Sequence, residues 1–148
     1  MSDVRDFGEA REVGYKAVRT IQVTDKMVRQ FAEMSGDTNP IHLDDKYAES
    51  TRFKKRIAHG MILGALCSRY LNETIGSGGI YLGQTLKFKN PVFIDDVITF
   101  ELEITKLHKT RGLGTVGTIA KKADGEIVMK GEATIMISTG IKGDVKVN

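Results

Sequence analysis

Asp37, Asn39 and His42 fall within one short run, DTNPIH, whose other members are small, apolar or turn-forming. Further along, His59-Gly60 opens a long apolar stretch. A carboxylate and an imidazole held side by side can shuttle a proton. A helix N-terminus, with its unpaired N–H groups and the positive end of its dipole, can receive negative charge. Together these are the parts needed to move protons on a carbonyl-activated substrate.

Spacing alone leaves two readings of SGDTNP. It can be a helix terminator, with Asp37 bonding backbone amides and His42 packed under a sheet, or it can carry a proton-transfer pair. Two features favour the pair. A buried carboxylate without a partner is costly, and His42 is the chemically sensible partner for Asp37. A second glycine-led helix start also follows, at His59-Gly60. His59 itself reads as structural, its imidazole bonding backbone groups and fixing the turn at Gly60. His108, beside Lys106 and Lys109, reads as a surface residue. His42, Asp44 and Asp45 mimic a ligand set, but no further histidine or cysteine joins them locally, so no metal is expected. Cys67 lies inside an apolar helical pattern and reads as a buried small hydrophobe rather than a nucleophile.

The elements that must hold these residues follow from periodicity. Lys16 to Val23 reads as a strand. Thr24 then caps a helix with Met27, Val28, Phe31 and Met34 on one face. SGDTNP stops it, and Asp44 or Asp45 caps a brief helix through Ala48. After His59-Gly60, the residues Ile62, Leu63, Leu66, Cys67, Tyr70 and Leu71 cover more than half the circumference of a longer helix, which something must wrap. The second half supplies strands. Leu82, Gln84, Leu86 and Phe88 alternate with Tyr81, Gly83, Thr85 and Lys87, and Ile98, Phe100, Leu102 and Ile104 alternate with Thr99, Glu101 and Glu103. Gly112 to Lys122 and Glu126 to Ser138 follow, joined by a tight turn at Ala123-Asp124-Gly125. No crossover helices separate these strands, so a doubly wound sheet is excluded. The expected class is α+β, an antiparallel sheet curled around the apolar helix, its edges covered or paired with a second subunit.

The 148 residues suit one domain, and 41% hydrophobic with 28% charged residues is a soluble balance. No apolar run reaches the roughly 20 residues of a membrane span, and the N-terminus has no hydrophobic signal core. With one cysteine, a cytoplasmic setting is expected. The basic residues cluster only at Arg52, Lys54, Lys55 and Arg56, which form either a solvated face or a contact for the phosphates of a nucleotide-bearing substrate. They are not laid out with aromatics as a stacking platform, which argues against nucleic acid.

The blocks SGDTNPIHLD (Ser35 to Asp44), AHGM (Ala58 to Met61) and IYLGQTLKFKNPVFIDD (Ile80 to Asp96) resemble the MaoC-like enoyl-CoA hydratases of the (R)-specific, hydratase 2 type. The likeness runs from about Val13 to Ser138 of a single domain. It implies a hotdog fold, a curved antiparallel sheet wrapped around a long central helix, assembled as a homodimer. It implies reversible addition of water to a trans-2-enoyl-CoA to give an (R)-3-hydroxyacyl-CoA, with no cofactor beyond the coenzyme A of the substrate. Asp37 and His42 match the catalytic pair, the Gly60 N–H the donor to the thioester oxygen, and Asn39 a site-shaping polar residue. Ser68 and Leu71, facing roughly the same way, match acyl-pocket positions and favour short to medium chains; Met136 either joins them or packs in the core. Three rival functions stand beside this one. A dehydratase of branched or carboxylated hydroxyacyl-CoA would use the same pair. A thioesterase would call for a carboxylate on the central helix, and none lies between Gly60 and Asn72. A non-catalytic acyl-CoA-binding protein would not need the pair at all.

Overall fold

Ile98, Phe100, Leu102 and Ile104 are fully buried, as strict alternation of large apolar and polar residues demands of a strand with one face on a core. They belong to β3 (Val97–His108), a central strand of the computed structural model, which describes residues 12–137 apart from 77 and 109. The elements run β1 (Lys16–Gln22), α1 (Asp25–Ser35), α2 (Pro40–Leu43), α3 (Asp45–Glu49), α4 (Gly60–Ile75), β2 (Ile80–Phe88), β3, β4 (Leu113–Lys122) and β5 (Ile127–Met136). They build one five-stranded sheet in the order β1-β3-β4-β5-β2, with every neighbouring pair antiparallel. The expected end of the last strand at Ser138 lies outside the described residues.

The register sets large residues against small ones. Phe100 stands opposite Ala120, and Ala120 in turn opposite Met129. This gives α4 a continuous inner surface to lie on. Ile62, Leu63, Cys67, Tyr70, Leu71 and Ile75 of α4 are buried in one cluster with that surface, and the Tyr70 and Phe100 rings tilt together at 5.3 Å. Burial pushes the Cys67 thiol up to about 12, which leaves it without the thiolate a nucleophile needs. At the β2 edge a bulge between Tyr81 and Gly83 breaks the expected alternation, so that Tyr81 rather than Leu82 packs with Leu86 on the core, while Leu82 and Phe88 are each about half exposed. Among the described residues, no helix is long and apolar enough to cross a membrane.

Helix α1 starts as expected, with the Met27 N–H donating to Thr24 Oγ1. It ends at Gly36, whose φ of 76° is the left-handed conformation that glycine adopts without steric cost. Its buried face carries Val28 and Ala32. Met34 does not join that face and is 76% exposed. It sits two residues past Ala32, roughly 200° around the helix, which carries it to the solvent side.

Candidate active site

The segment after α1 both ends one helix and begins the next. The Ser35 hydroxyl donates to the Phe31 carbonyl and accepts from the Asp37 N–H. The Asn39 N–H donates to Asp37 Oδ1 (3.3 Å), and the Ile41 N–H to Asn39 Oδ1 (3.2 Å). Asn39 is therefore the N-cap of α2, with Pro40 at the first helical position, where its missing N–H costs nothing. His42 rides on this one-turn helix rather than in the turn. Asp37 is exposed, so the expected penalty for burying it alone is not what brings it to His42; the backbone of the segment does that.

His42 is half-buried, and its Nδ1 lies 2.7 Å from the Ile57 carbonyl. A carbonyl oxygen only accepts, so Nδ1 carries the proton and Nε2 holds the lone pair. The His42 ring stacks on His59, with centroids 3.8 Å apart and planes at 29°. His59 is only 2% exposed, and its Nε2–H donates to the Asp37 carbonyl at 2.9 Å. Burial, more than anything else, lowers the His42 pKa below its ordinary value of 6.5. The bond to Ile57 opposes that shift, His59 adds to it, and the Asp37 carboxylate opposes it.

One ligand-type atom from each of Asp37, His42 and His59 lies within 4.8 Å of the others. Two hydrogen bonds of about 2.8 Å meeting at a near-tetrahedral angle through one water would span roughly 4.6 Å, a separation inside that limit. Tetrahedral metal ligation would need the histidine lone pairs to converge on one point. Lone pairs lie in the ring planes, and stacked, nearly parallel rings send them side by side instead.

Gly60 is the first residue of α4, so its N–H has no partner within the helix. A groove of about 280 Å³ runs past it and past His42 and His59. Ile57, Leu63, Phe88 and Val92 give the groove apolar walls, and Arg52 and Lys89 give it cations. A Cβ at Gly60 would come within 2.9 Å of the Phe88 ring. Glycine thus leaves room for the Phe88 ring where β2 packs on the start of α4.

The basic cluster divides. Arg52 borders the groove. Arg56 does not belong to a solvent-facing cluster: it is 8% exposed and donates to Asp25 Oδ1 and Asp45 Oδ1, each at 2.8 Å, and to the His42 carbonyl at 3.2 Å. Its guanidinium ties the starts of α1 and α3 to the end of α2, and the carboxyl pKa of Asp25 is lowered chiefly by that contact. Lys54 and Lys55 line a separate hollow shared with Asp45, Glu49 and Asp96. Ser68 and Leu71 do not face the same way. Leu71 is 1% exposed in the core, whereas Ser68 is exposed, because residues three apart differ by roughly 60° around a helix. Neither lines the groove, and Met136 is partly buried at the end of β5. His108 is exposed, as expected. Lys89 was missed: it is distant in sequence from Arg52, and only the course of the chain out of β2 brings it to the groove.

The profile of the MaoC like domain matches residues 6–126. The chain belongs to the MaoC-like family. This MaoC-like chain is 39% identical over 130 residues to the (R)-specific enoyl-CoA hydratase of Aeromonas caviae, covering 87% of this chain and 97% of that one. It is 35% identical over 132 residues to the 3-hydroxybutyryl-CoA dehydratase of Methylorubrum extorquens, covering 88% and 83%. A solved (R)-hydratase from A. caviae superposes with a TM-score of 0.84 at 39% identity, covering 88% of this chain and 99% of that one. The fold is the hotdog, as the sequence implied.

Proposed function

We propose that this MaoC-like protein is a lyase that adds water reversibly to a trans-2-enoyl-CoA to give an (R)-3-hydroxyacyl-CoA. The observation that carries this reading is that His42 and Gly60, whose N–H has no partner within its helix, line one groove, with the Asp37 carboxylate close to the His42 ring. With the thioester oxygen on the Gly60 N–H, charge drawn from the double bond has a donor and a helix dipole to meet it, and Cβ becomes electrophilic. Asp37 and His42 both accept from the bridging water. The pair takes one proton as the water oxygen bonds to Cβ, and returns a proton to Cα as the enolate collapses. Because one pair serves both steps, both additions are expected on one face of the double bond. The chemistry written this way draws on no cofactor.

The test is crotonyl-CoA with the purified protein. Loss of the enoyl absorbance with no release of free thiol is expected. Release of coenzyme A without hydration would make the protein a thioesterase. A lack of both reactions, with tight binding, would make it a binding protein.

For the phosphates of coenzyme A, the groove favours Arg52 and Lys89 over Lys54, Lys55 and Arg56. Neutralising Arg52 or Lys89 should raise KM by about 3- to 10-fold at low salt, and less at high salt, with kcat nearly unchanged. Neutralising Lys54 or Lys55 should leave KM where it was. A flat KM across the Arg52 and Lys89 variants would remove the clamp.

The protein works in this reading as a homodimer, with a second copy pairing along the β2 edge of the sheet, a strand on which Ile80, Leu82 and Phe88 stand exposed. Light scattering should give twice the chain mass, and a monomer that retains activity would contradict it.

A further inference from the structure

His59 takes no part in the hydration just described, yet it is the most committed side chain of the site. It is buried, its Nε2–H donates to the backbone of Asp37, its ring lies against His42, and Phe31 closes over it at 4.7 Å. It occupies the N-cap of α4 but makes no side-chain cap bond, where Ser, Thr, Asp or Asn would make one. Its Nδ1 is buried without a hydrogen-bond partner among the described residues. A plain packing residue such as Phe would fill the same space without leaving a buried polar atom unsatisfied. An amide would reach the Asp37 carbonyl but offer no ring face. What histidine alone supplies here is both at once.

We propose that His59 is a positioning residue: its Nε2–H pins the Asp37 backbone while its ring face supports His42, holding carboxylate and base in one register. The proposal rests on the hydratase reading of the Asp37–His42 pair. It explains why the two functional residues stay aligned although Asp37 sits in an exposed segment and His42 on a helix of one turn. It also bears on the protonation of His42. The charged or titratable groups around that ring are the Asp37 carboxylate, His59 beneath it, Arg56 on its own carbonyl, and Arg52 and Lys89 bordering the groove. Burial under His59 keeps His42 neutral to lower pH than an ordinary histidine. Neutral His42 is the working form, so kcat/KM should fall only as pH drops through that lowered value. Opening the stack lets water reach the ring, which moves its pKa up and carries the acid limb of kcat/KM to higher pH with it.

The experiment uses three variants and two readouts. His59→Phe keeps a ring without the donor, His59→Gln keeps a donor without the ring, and His59→Ala keeps neither. Histidine ring NMR, simplified by there being only three histidines, reports tautomers and the titration of His42; steady-state kinetics reports the pH profile. The unsubstituted protein should show an Nδ1–H tautomer for His42 and Nε2–H for His59. His59→Ala should lower kcat by about 10- to 100-fold, with KM within a few-fold, because a misplacement of about 1 Å is enough for such a loss. In the same variant the His42 titration and the acid limb should both move to higher pH. His59→Phe should keep the His42 titration but lose part of kcat, and His59→Gln should move the titration. If His59→Ala does not fold, the Phe and Gln variants decide. Folded variants with unchanged kcat and an unmoved His42 titration would overturn the proposal. Absence of hydration by the unsubstituted protein would defeat the functional reading instead, and the NMR titrations would still decide whether His59 holds His42.

Discussion

Turnover of crotonyl-CoA is expected to fall by about 100-fold or more in Asp37→Asn and in His42→Ala, the usual contribution of a general acid–base group. Asp37→Asn should leave the fold intact. The Asp37 side chain is exposed, and its one structural duty, accepting the Asn39 N–H, passes to the amide oxygen. His42→Ala removes a bond to Ile57 and the stack on His59, so circular dichroism and a thermal melt belong beside its kinetics. In the proposed mechanism the two side chains serve one water, so the double variant should be scarcely slower than the worse of the two singles. Near-normal turnover in either folded variant would take that residue out of the site.

Deleting the Gly60 N–H should cost as much again. Gly60 is the first helical residue, and its predecessor His59 has φ −59° and ψ 130°, the extended conformation that a following proline favours. Gly60→Pro therefore removes the donor where the helix tolerates proline. Any Cβ at this position also presses on Phe88, so Gly60→Ala serves as the reference, carrying the Cβ but keeping the N–H. The proline variant should be about 100- to 1,000-fold slower than the alanine one, the loss typical of one oxyanion donor. Equal kcat values in two folded variants would mean that charge is stabilised by something other than this amide.

The fold was legible because its signals are local and periodic. A period of two through Ile98, Phe100, Leu102 and Ile104 leaves one buried face, and Thr24 before an apolar helical pattern is a cap with a mechanism. The apolar girth of α4 called for a wrapping sheet, and the sheet wraps it. The proximity of Asp37 and His42, and Gly60 as the start of α4, were legible from local spacing. What was lost is long-range. Arg56 looked like a member of a basic run because nothing near it announces Asp25, which lies 31 residues earlier in the chain. Lys89 and Arg52 share a groove only once β2 has returned past α4. His59 was read correctly as bonding backbone, but its contacts with Asp37 and His42 depend on how α4 docks against the α1–α2 segment. Met34 and Ser68 failed differently, since a helical face has edges: Ser68 lies roughly 60° from Leu71 and Met34 roughly 200° from Ala32, and both are exposed.

The central claim is that one pair, Asp37 and His42, delivers water to one face of an enoyl thioester. The configuration of the product tests it most directly. Crotonyl-CoA should be converted to (R)-3-hydroxybutyryl-CoA alone, with the reverse dehydration consuming that enantiomer and leaving the (S) form untouched. A racemic or (S) product would contradict the account.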